Sequence, residues 1–239
     1  MRGRLLVLIA ALFVATGAAR GQYFVWDGEY MMGISAGAVV PFSVPRPTLD
    51  ASDNVKPESM KRSVSPVFAF YYGMERALRG RFDFGFSFDV SFSRERASLT
   101  YVDSTGLDAM SQKSNVIELS EEVFLAYYIT EKMPISAGIG LAESLTFGRS
   151  RKHDLMDFDG SMRSEGQYAS GGEYGMGGAL SLQASVGVSY YFTNAFFVAL
   201  KLRMRYPFLD FSSRLTGSDD YITKIPVALK PVVIVGFRW

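Results

Sequence analysis

Nucleophilic catalysis would need a general base beside a nucleophile, and the chain has a single histidine that could act as that base. His153 stands between Lys152 and Asp154, and position 155 is a leucine rather than a serine. Nucleophilic catalysis of the Ser-His-acid type requires the imidazole within hydrogen-bonding reach of the hydroxyl. We therefore interpret His153 as a solvated residue of a long loop and predict that the protein is not an enzyme.

Metal and cofactor chemistry is equally poorly supported by the residues. Asp154, Asp157 and Asp159 precede Gly160, but the spacing lacks the complete ligand ladder and the terminal glutamate of a calcium loop. The chain has no cysteine, which excludes disulfides, thiolate metal sites and cysteine nucleophiles. No phosphate loop or dinucleotide fingerprint is present, so we predict neither a metal nor a cofactor.

Composition narrows the class of protein. The 239 residues carry 25 Lys and Arg against 24 Asp and Glu, a balance that excludes the basic excess of a nucleic-acid binder. Aromatic residues at 14% and charged residues at 21% exclude a disordered chain. A mean hydropathy of +0.10 is too low for a bundle of membrane helices.

The first segment has the layout of a secretory signal peptide. A basic start at Met1–Arg4 is followed by an apolar run from Leu5 to Ala18 and by small residues through Gly21. The alternative is an N-terminal membrane helix, but the apolar run is shorter than the ~20 residues that a span requires. We predict residues 1–21 to be the signal peptide and 22–239 to be the mature domain.

The mature chain alternates with a period of two residues. In Arg81–Arg94, apolar side chains from Phe82 to Phe92 share one parity, and polar or small residues share the other. This is the pattern of a strand with one apolar and one polar face. The same reasoning predicts eight strands, at 29–42, 64–76, 81–94, 116–129, 134–148, 179–192, 196–208 and 227–239.

The connections between these strands alternate strictly between long and short. Long loops are predicted at 43–63, 95–115, 149–178 and 209–226, and short turns at 77–80, 130–133 and 193–195. All long loops then lie at one end of the sheet and all turns at the other, which is typical of outer-membrane barrels.

The last strand adds a further signal, because Val233, Val235, Phe237 and Trp239 share one face. With the loop rhythm, this pattern resembles the small eight-stranded outer-membrane proteins of the OmpA, OmpX and OmpW type. The resemblance implies an all-β, eight-stranded antiparallel up-and-down transmembrane barrel located in the cell outer membrane. It also implies that Phe237 and Trp239 form the signal that the barrel-assembly machinery reads.

The main rival is a soluble secreted barrel of the lipocalin type, apolar inside and polar outside. The G-x-W motif expected near a lipocalin's first strand is absent from 22–42, and five phenylalanines from one strand would overfill such an interior. The apolar faces also carry aromatic residues at both ends, as membrane interfaces require. These are Tyr72, Phe82, Tyr127, Phe192, Phe196 and Trp239 at the turn end, and Phe42, Phe92, Phe147, Tyr206 and Phe208 at the loop end.

A barrel of eight strands encloses only enough room for side chains. The polar residues of each alternating strand are therefore predicted to fill the interior. We predict a lumen charge network formed by Asp83, Asp89, Glu118, Glu122, Lys201, Arg203 and Arg205. At its centre Asp89 and Glu122 pair with Lys201 and Arg203 across the lumen, because an unpaired buried charge is costly. The network is either a structural plug, which we favour, or a gated constriction.

Two carboxylates violate the pattern, since strict parity places Glu121 and Glu143 on the lipid face. Either a β-bulge turns one of them inward, or both lie near the upper interface. Basic residues at the loop end, above all Arg149, Arg151 and Lys152, either contact phosphate or carboxylate groups of surface glycolipids or form a solvated rim, which is the interpretation we favour.

We therefore expect a monomeric barrel with a structural role or a role in contacting an extracellular or host ligand through four loops. Its expected partners are outer-membrane lipids and the assembly machinery. The alternative is an OmpW-like narrow channel that passes small hydrophobic molecules into the membrane. Glu118 and Arg205 in the upper lumen weigh against that route.

Overall fold

The fold was determined as a computed structural model that describes residues 28–43, 56–102, 107–156, 162–164, 169–170, 176–210 and 226–239. The predicted signal peptide, residues 1–21, lies outside them. Eight long strands carry the architecture, and three short strands lie in the predicted loops. The strands are β1 (Glu29–Ser43), β2 (Lys56–Arg62), β3 (Ser65–Ala77), β4 (Phe82–Val102), β5 (Leu107–Thr130), β6 (Met133–Met156), β7 (Met162–Ser164), β8 (Ala169–Ser170), β9 (Met176–Tyr191), β10 (Phe196–Asp210) and β11 (Val227–Arg238).

The long strands close into a ring. Each pairs antiparallel with the next along the chain, in the order β1, β3, β4, β5, β6, β9, β10 and β11. The ring closes where β1 pairs with β11, with Met32 opposite Phe237 and Gly33 opposite Gly236. The predicted eight-stranded antiparallel up-and-down barrel is therefore confirmed.

Short turns join the strands at one end of the barrel. The turn between β3 and β4 contains Gly80 with a φ of 68°, a left-handed conformation that favours glycine. Residues 131–132 join β5 to β6, and residues 192–195 join β9 to β10. No helix in the described ranges is long and apolar enough to cross a membrane.

The two faces of the long strands differ as the alternation predicts, except near the turn end of β3 and β5, where both faces carry apolar residues. The inward face is mostly polar or small, and the outward face is apolar and exposed, from Phe68 and Phe70 on β3 to Val233 and Val235 on β11. Aromatic rings contact one another around the turn end, as in the pairs Phe82–Tyr127, Phe196–Phe237 and Tyr30–Trp239. An exposed apolar belt on a closed, polar-filled barrel is the surface of an outer-membrane barrel rather than of a lipocalin.

Three strands continue far beyond the ring at the loop end. β3 pairs with β4 only as far as Ser93, and β9 pairs with β6 only as far as Phe147. β4 and β5 nevertheless stay paired to Val102 and Leu107, and β6 follows them to Met156. We call this extension, formed by β2 with residues 95–102, 107–114 and 149–156, the wall.

The wall corrects the sequence prediction of long loops at 95–115, 149–178 and 43–63. Residues 95–115 are a hairpin with only 103–106 between its strands, and β2 adds to its edge by pairing with β4. Beyond the membrane both faces of a sheet meet water, so polar residues occur on both parities and the alternation disappears. The strand signal is therefore lost where the apolar belt ends.

Candidate functional site: the charged lumen

The inward face of β10 carries a column of three cations, Lys201, Arg203 and Arg205, on alternate residues. The acidic residues that face these cations come from β4 and β5, which lie on the opposite side of the ring. Period-two alternation on each strand thus brings oppositely charged columns together from positions far apart in the chain. All three cations are buried.

The lowest level of the column joins Lys201 to Glu122. The ammonium nitrogen of Lys201 lies 2.5 Å from Oε1 of Glu122, and the side-chain amide of Gln183 donates to Oε2 at 3.2 Å. The same ammonium also lies 5.5 Å from the centre of the Phe124 ring, within the range of a cation–π contact.

The next level joins Arg203 to Asp89, with Nη2 and Oδ2 separated by 2.7 Å. Both side chains are buried, so this pair is desolvated on both sides. The four residues predicted to form the centre of the network thus meet as two cross-lumen ion pairs.

Glu118 is the hub of the level above. Arg205 donates to its Oε2 at 2.5 Å, and Lys230 of β11 donates to its Oε1. The hydroxyls of Ser120 and Ser144 donate to the same carboxylate at 3.2 Å and 3.0 Å. Two cations and two hydroxyls therefore saturate one buried carboxylate, which removes most of the cost of burying it.

The charge column continues upward through two residues absent from the predicted network. Glu95 lies 3.9 Å from Arg205, and Arg62 of β2 lies 3.7 Å from Glu95. Both fall in segments that the sequence assigned to loops. The signal was present for Glu95, which continues the inward parity of Asp83 and Asp89.

Asp83 was predicted to belong to the lumen charge network, but it does not join it. It lies at the turn end of the inward face, at a mouth it shares with Arg238 and Tyr128. Arg238 lies over the ring of Tyr191 at 4.6 Å and donates to the hydroxyl of Tyr128 at 3.3 Å. Near the turn end the lumen is thus lined by aromatic rings and one guanidinium rather than by the ion-pair column.

Between this mouth and the ion pairs the lumen is lined mostly by apolar side chains, with the carboxylate of Glu75 among them. Met31, Tyr71, Phe124, Phe197 and Ile234 belong to one buried cluster. A cavity of about 30 Å³ remains there, large enough for a single water molecule. Glu75 reaches this region and accepts a hydrogen bond from the hydroxyl of Tyr191 at 3.3 Å.

In the described part of the lumen, the charged side chains form neutralising pairs that cross from one strand to another. Charges of both signs alternate along the lumen from Lys201 to Arg62, and the aromatic cluster lies below them. Such an interior can hold the barrel rigid, because each ion is fixed by partners on another strand. Its chemistry is electrostatic, and no nucleophile–base pair takes part in it.

The remaining predicted site residues lie elsewhere. Phe237 and Trp239 face outward at the turn end, where their rings contact Phe196 and Tyr30, and their part in assembly stays a prediction. Arg151 and Lys152 occupy β6 opposite Gln112 and Ser111, and Arg149 is the extra residue at a β-bulge. Contact of these three with glycolipid also stays a prediction.

His153 corrects an expectation, since it lies in strand β6 opposite Met110 and not in a loop. Asp157 and Asp159 fall outside the described residues. Within the described ranges, His, Asp and Glu side chains form no group able to hold a metal ion.

Glu121 and Glu143 both lie on the outward face of the barrel. Glu121 is opposite Leu141, and Glu143 is opposite Leu119. The register of β5 and β6 is regular around both residues, so no bulge turns either inward. The register therefore excludes the inward-turning bulge, and the position of the two residues at the upper interface stays a prediction.

No family model matches the chain, and no curated protein does. Similar solved structures are the attachment invasion locus protein Ail of Yersinia pestis, 11% identical with a TM-score of 0.43, and the outer membrane protein OprG of Pseudomonas aeruginosa, 8% identical with a TM-score of 0.45. Each alignment covers 89% of this chain, together with 99% of Ail and 96% of OprG. Neisserial surface protein A is 10% identical with a TM-score of 0.40, over 89% of this chain and 96% of that protein. Because these identities and TM-scores are low, the assignment of the fold rests on the strand pairing described above.

Proposed function

We propose that the protein is a monomeric, non-enzymatic surface protein of the outer membrane, whose barrel anchors the wall for contact with an extracellular or host ligand. The observation that carries this proposal is the contrast between the part of β4 and β5 inside the barrel and the part of the same strands beyond it. Inside the barrel, β4 and β5 contribute to an ion-paired, filled lumen. Outside it, the same strands with β6 form a sheet that no membrane requires.

The wall also has the chemistry of a contact surface. Among the described strands β2 pairs only with β4, so its other edge presents backbone groups that a partner could bind. Exposed sheet edges bind extended segments of other chains through main-chain hydrogen bonds. The proposed ligand is therefore a protein or peptide on a neighbouring surface.

The alternative function is a narrow channel for small hydrophobic molecules. The apolar cluster in the lower lumen favours it, because a hydrophobic solute could rest against Phe124 and Phe197. A solute coming from the loop end would, however, have to pass the levels of Glu118 and Glu122, where cross-lumen ion pairs would have to separate. The surface role is therefore the better supported of the two.

Shortening the wall tests the surface role. Replacing Ser98–Ser111 with Asn-Gly joins Ala97 to Gln112, which already face each other, through a favoured two-residue turn. We expect liposomes carrying the parent protein to adhere to cultured epithelial cells, and liposomes carrying the shortened variant to adhere no more than empty ones. Equal thermal stability of the two proteins is the control. Adhesion by the shortened variant at the parent level, or no adhesion by the parent above empty liposomes, would contradict the proposal.

A further inference from the structure

Three exposed cations stand together on the outward face of β4 and β5. They are Arg94, Arg96 and Lys113, and all three side chains are solvent-exposed. Arg96 is directly opposite Lys113, while Arg94 is opposite Asn115 and hence diagonal to Lys113. We call these three residues the cation triangle.

The cation triangle is unfavourable without an anion. Side chains directly opposite in an antiparallel pair have Cβ atoms about 5 Å apart, and like charges there repel. Within the described part of the chain, no carboxylate forms an ion pair with any of the three. A bound anion between the three side chains would convert the repulsion into attraction.

The position of the cation triangle relative to the apolar belt indicates which anion it binds. On β4 the outward apolar run ends at Phe92, and Arg94 and Arg96 occupy the next two outward positions. On β5 the outward apolar run ends at Ile117, and Asn115 separates it from Lys113. The triangle therefore stands at the upper edge of the apolar belt, where lipid headgroups lie. At the loop end of β10 the exposed outward residues are instead aromatic, Tyr206 and Phe208.

We propose that the cation triangle binds the phosphate groups of an outer-leaflet glycolipid. Arginine suits phosphate through paired N–H donors, and lysine adds a third charge. A soluble polyanion is the less favoured ligand, because the cations lie at the belt edge and not at the tip of the wall. The inference rests on the proposed outer-membrane location, but it does not depend on the ligand of the wall.

A binding comparison tests the proposal. The refolded protein in zwitterionic micelles is titrated with lipid A bearing both phosphates and with dephosphorylated lipid A of the same acyl chains. We expect a preference for the phosphorylated lipid of about tenfold, the size that three partly exposed ion pairs supply. The triple variant Arg94→Gln, Arg96→Gln, Lys113→Gln should lose this preference.

The matched control neutralises three exposed cations of the turn end, with Arg76→Gln, Arg79→Gln and Lys132→Gln, and should keep the preference. Retention of the preference by the triangle variant, or equal loss in both variants, would overturn the proposal. Binding of soluble heparin to the triangle as tightly as phosphorylated lipid A would overturn it in favour of a soluble polyanion.

The melting temperature gives a second test, because the effect of one substitution should change sign when phosphorylated lipid A is added. Without anionic lipid, Lys113→Gln should raise the melting temperature, because it relieves the repulsion with Arg96. With phosphorylated lipid A the same substitution should lower it relative to the parent. An effect of the same sign in both conditions would contradict the proposal. The shortened-wall variant keeps all three cations, so the lipid site and the surface role can fail separately.

Discussion

Replacing Glu118 with alanine should lower the free energy of unfolding by about 3–5 kcal/mol, the cost of breaking a buried ion pair by removing one partner. The substitution leaves Arg205 and Lys230 buried without their common carboxylate. Their mutual repulsion then adds to the cost of burying each cation. Urea unfolding in micelles, followed by tryptophan fluorescence, measures the loss.

The matched control is Glu131→Ala, which removes an exposed carboxylate from the turn between β5 and β6. It should change the free energy by no more than about 0.5 kcal/mol. If Glu118→Ala prevents refolding, Glu118→Gln keeps the shape of the side chain and removes only its charge. A Glu118→Gln variant as stable as the parent would show that the hub contributes no ionic stabilisation.

Replacing Ile139 with arginine should destabilise the protein by about 2–4 kcal/mol in lipid bilayers, the cost of a cation near the midplane of a barrel's lipid face. Ile139 is 72% exposed, so in a water-soluble barrel the same change would be close to neutral. The size of the loss of stability therefore separates a membrane barrel from a lipocalin-like one.

Leu78→Arg is the control for this substitution. Leu78 is 58% exposed but lies in the turn between β3 and β4, beyond the turn-end aromatic residues. Its replacement should alter stability by no more than about 0.5 kcal/mol. Equal stability of Ile139→Arg and the parent in bilayers would contradict the membrane placement.

The sequence predicted the barrel because the membrane imposes a strong contrast between the two faces of each strand. In β4, phenylalanine alternates with aspartate, glycine and serine from Phe82 to Phe92, and the structure places these sets outside and inside. The same contrast predicts that Lys201, Arg203 and Arg205 form one inward column, and the structure shows that column.

The lower lumen could not be predicted in the same way. β3 and β5 carry apolar residues on both parities near the turn end, as in Phe70–Tyr72 and Val123–Leu125. Alternation cannot assign the inward set when both sets are apolar. The burial of Tyr71 and Phe124 follows from their register with strands whose polarity is unambiguous.

The upper part of the network was missed for a related reason. Glu95 continues the inward parity of β4, but its outward neighbours Arg94 and Arg96 are charged, so the apolar half of the pattern is missing there. Arg62 lies outside every alternating run. Arg62 enters through β2, a short strand held by pairing with β4 and not by an apolar face of its own. Long-range pairing of this kind leaves no local mark in the sequence.

Planar-bilayer conductance of the refolded protein tests most directly whether the lumen is filled. Protein shown to be folded should give no discrete current steps, because the pairs at Glu122, Asp89 and Glu118 cross the lumen at successive levels. Reproducible steps from the parent protein would contradict this account. They would make transport the primary function, with Lys201 and Arg203 as the first residues to test for ion selectivity.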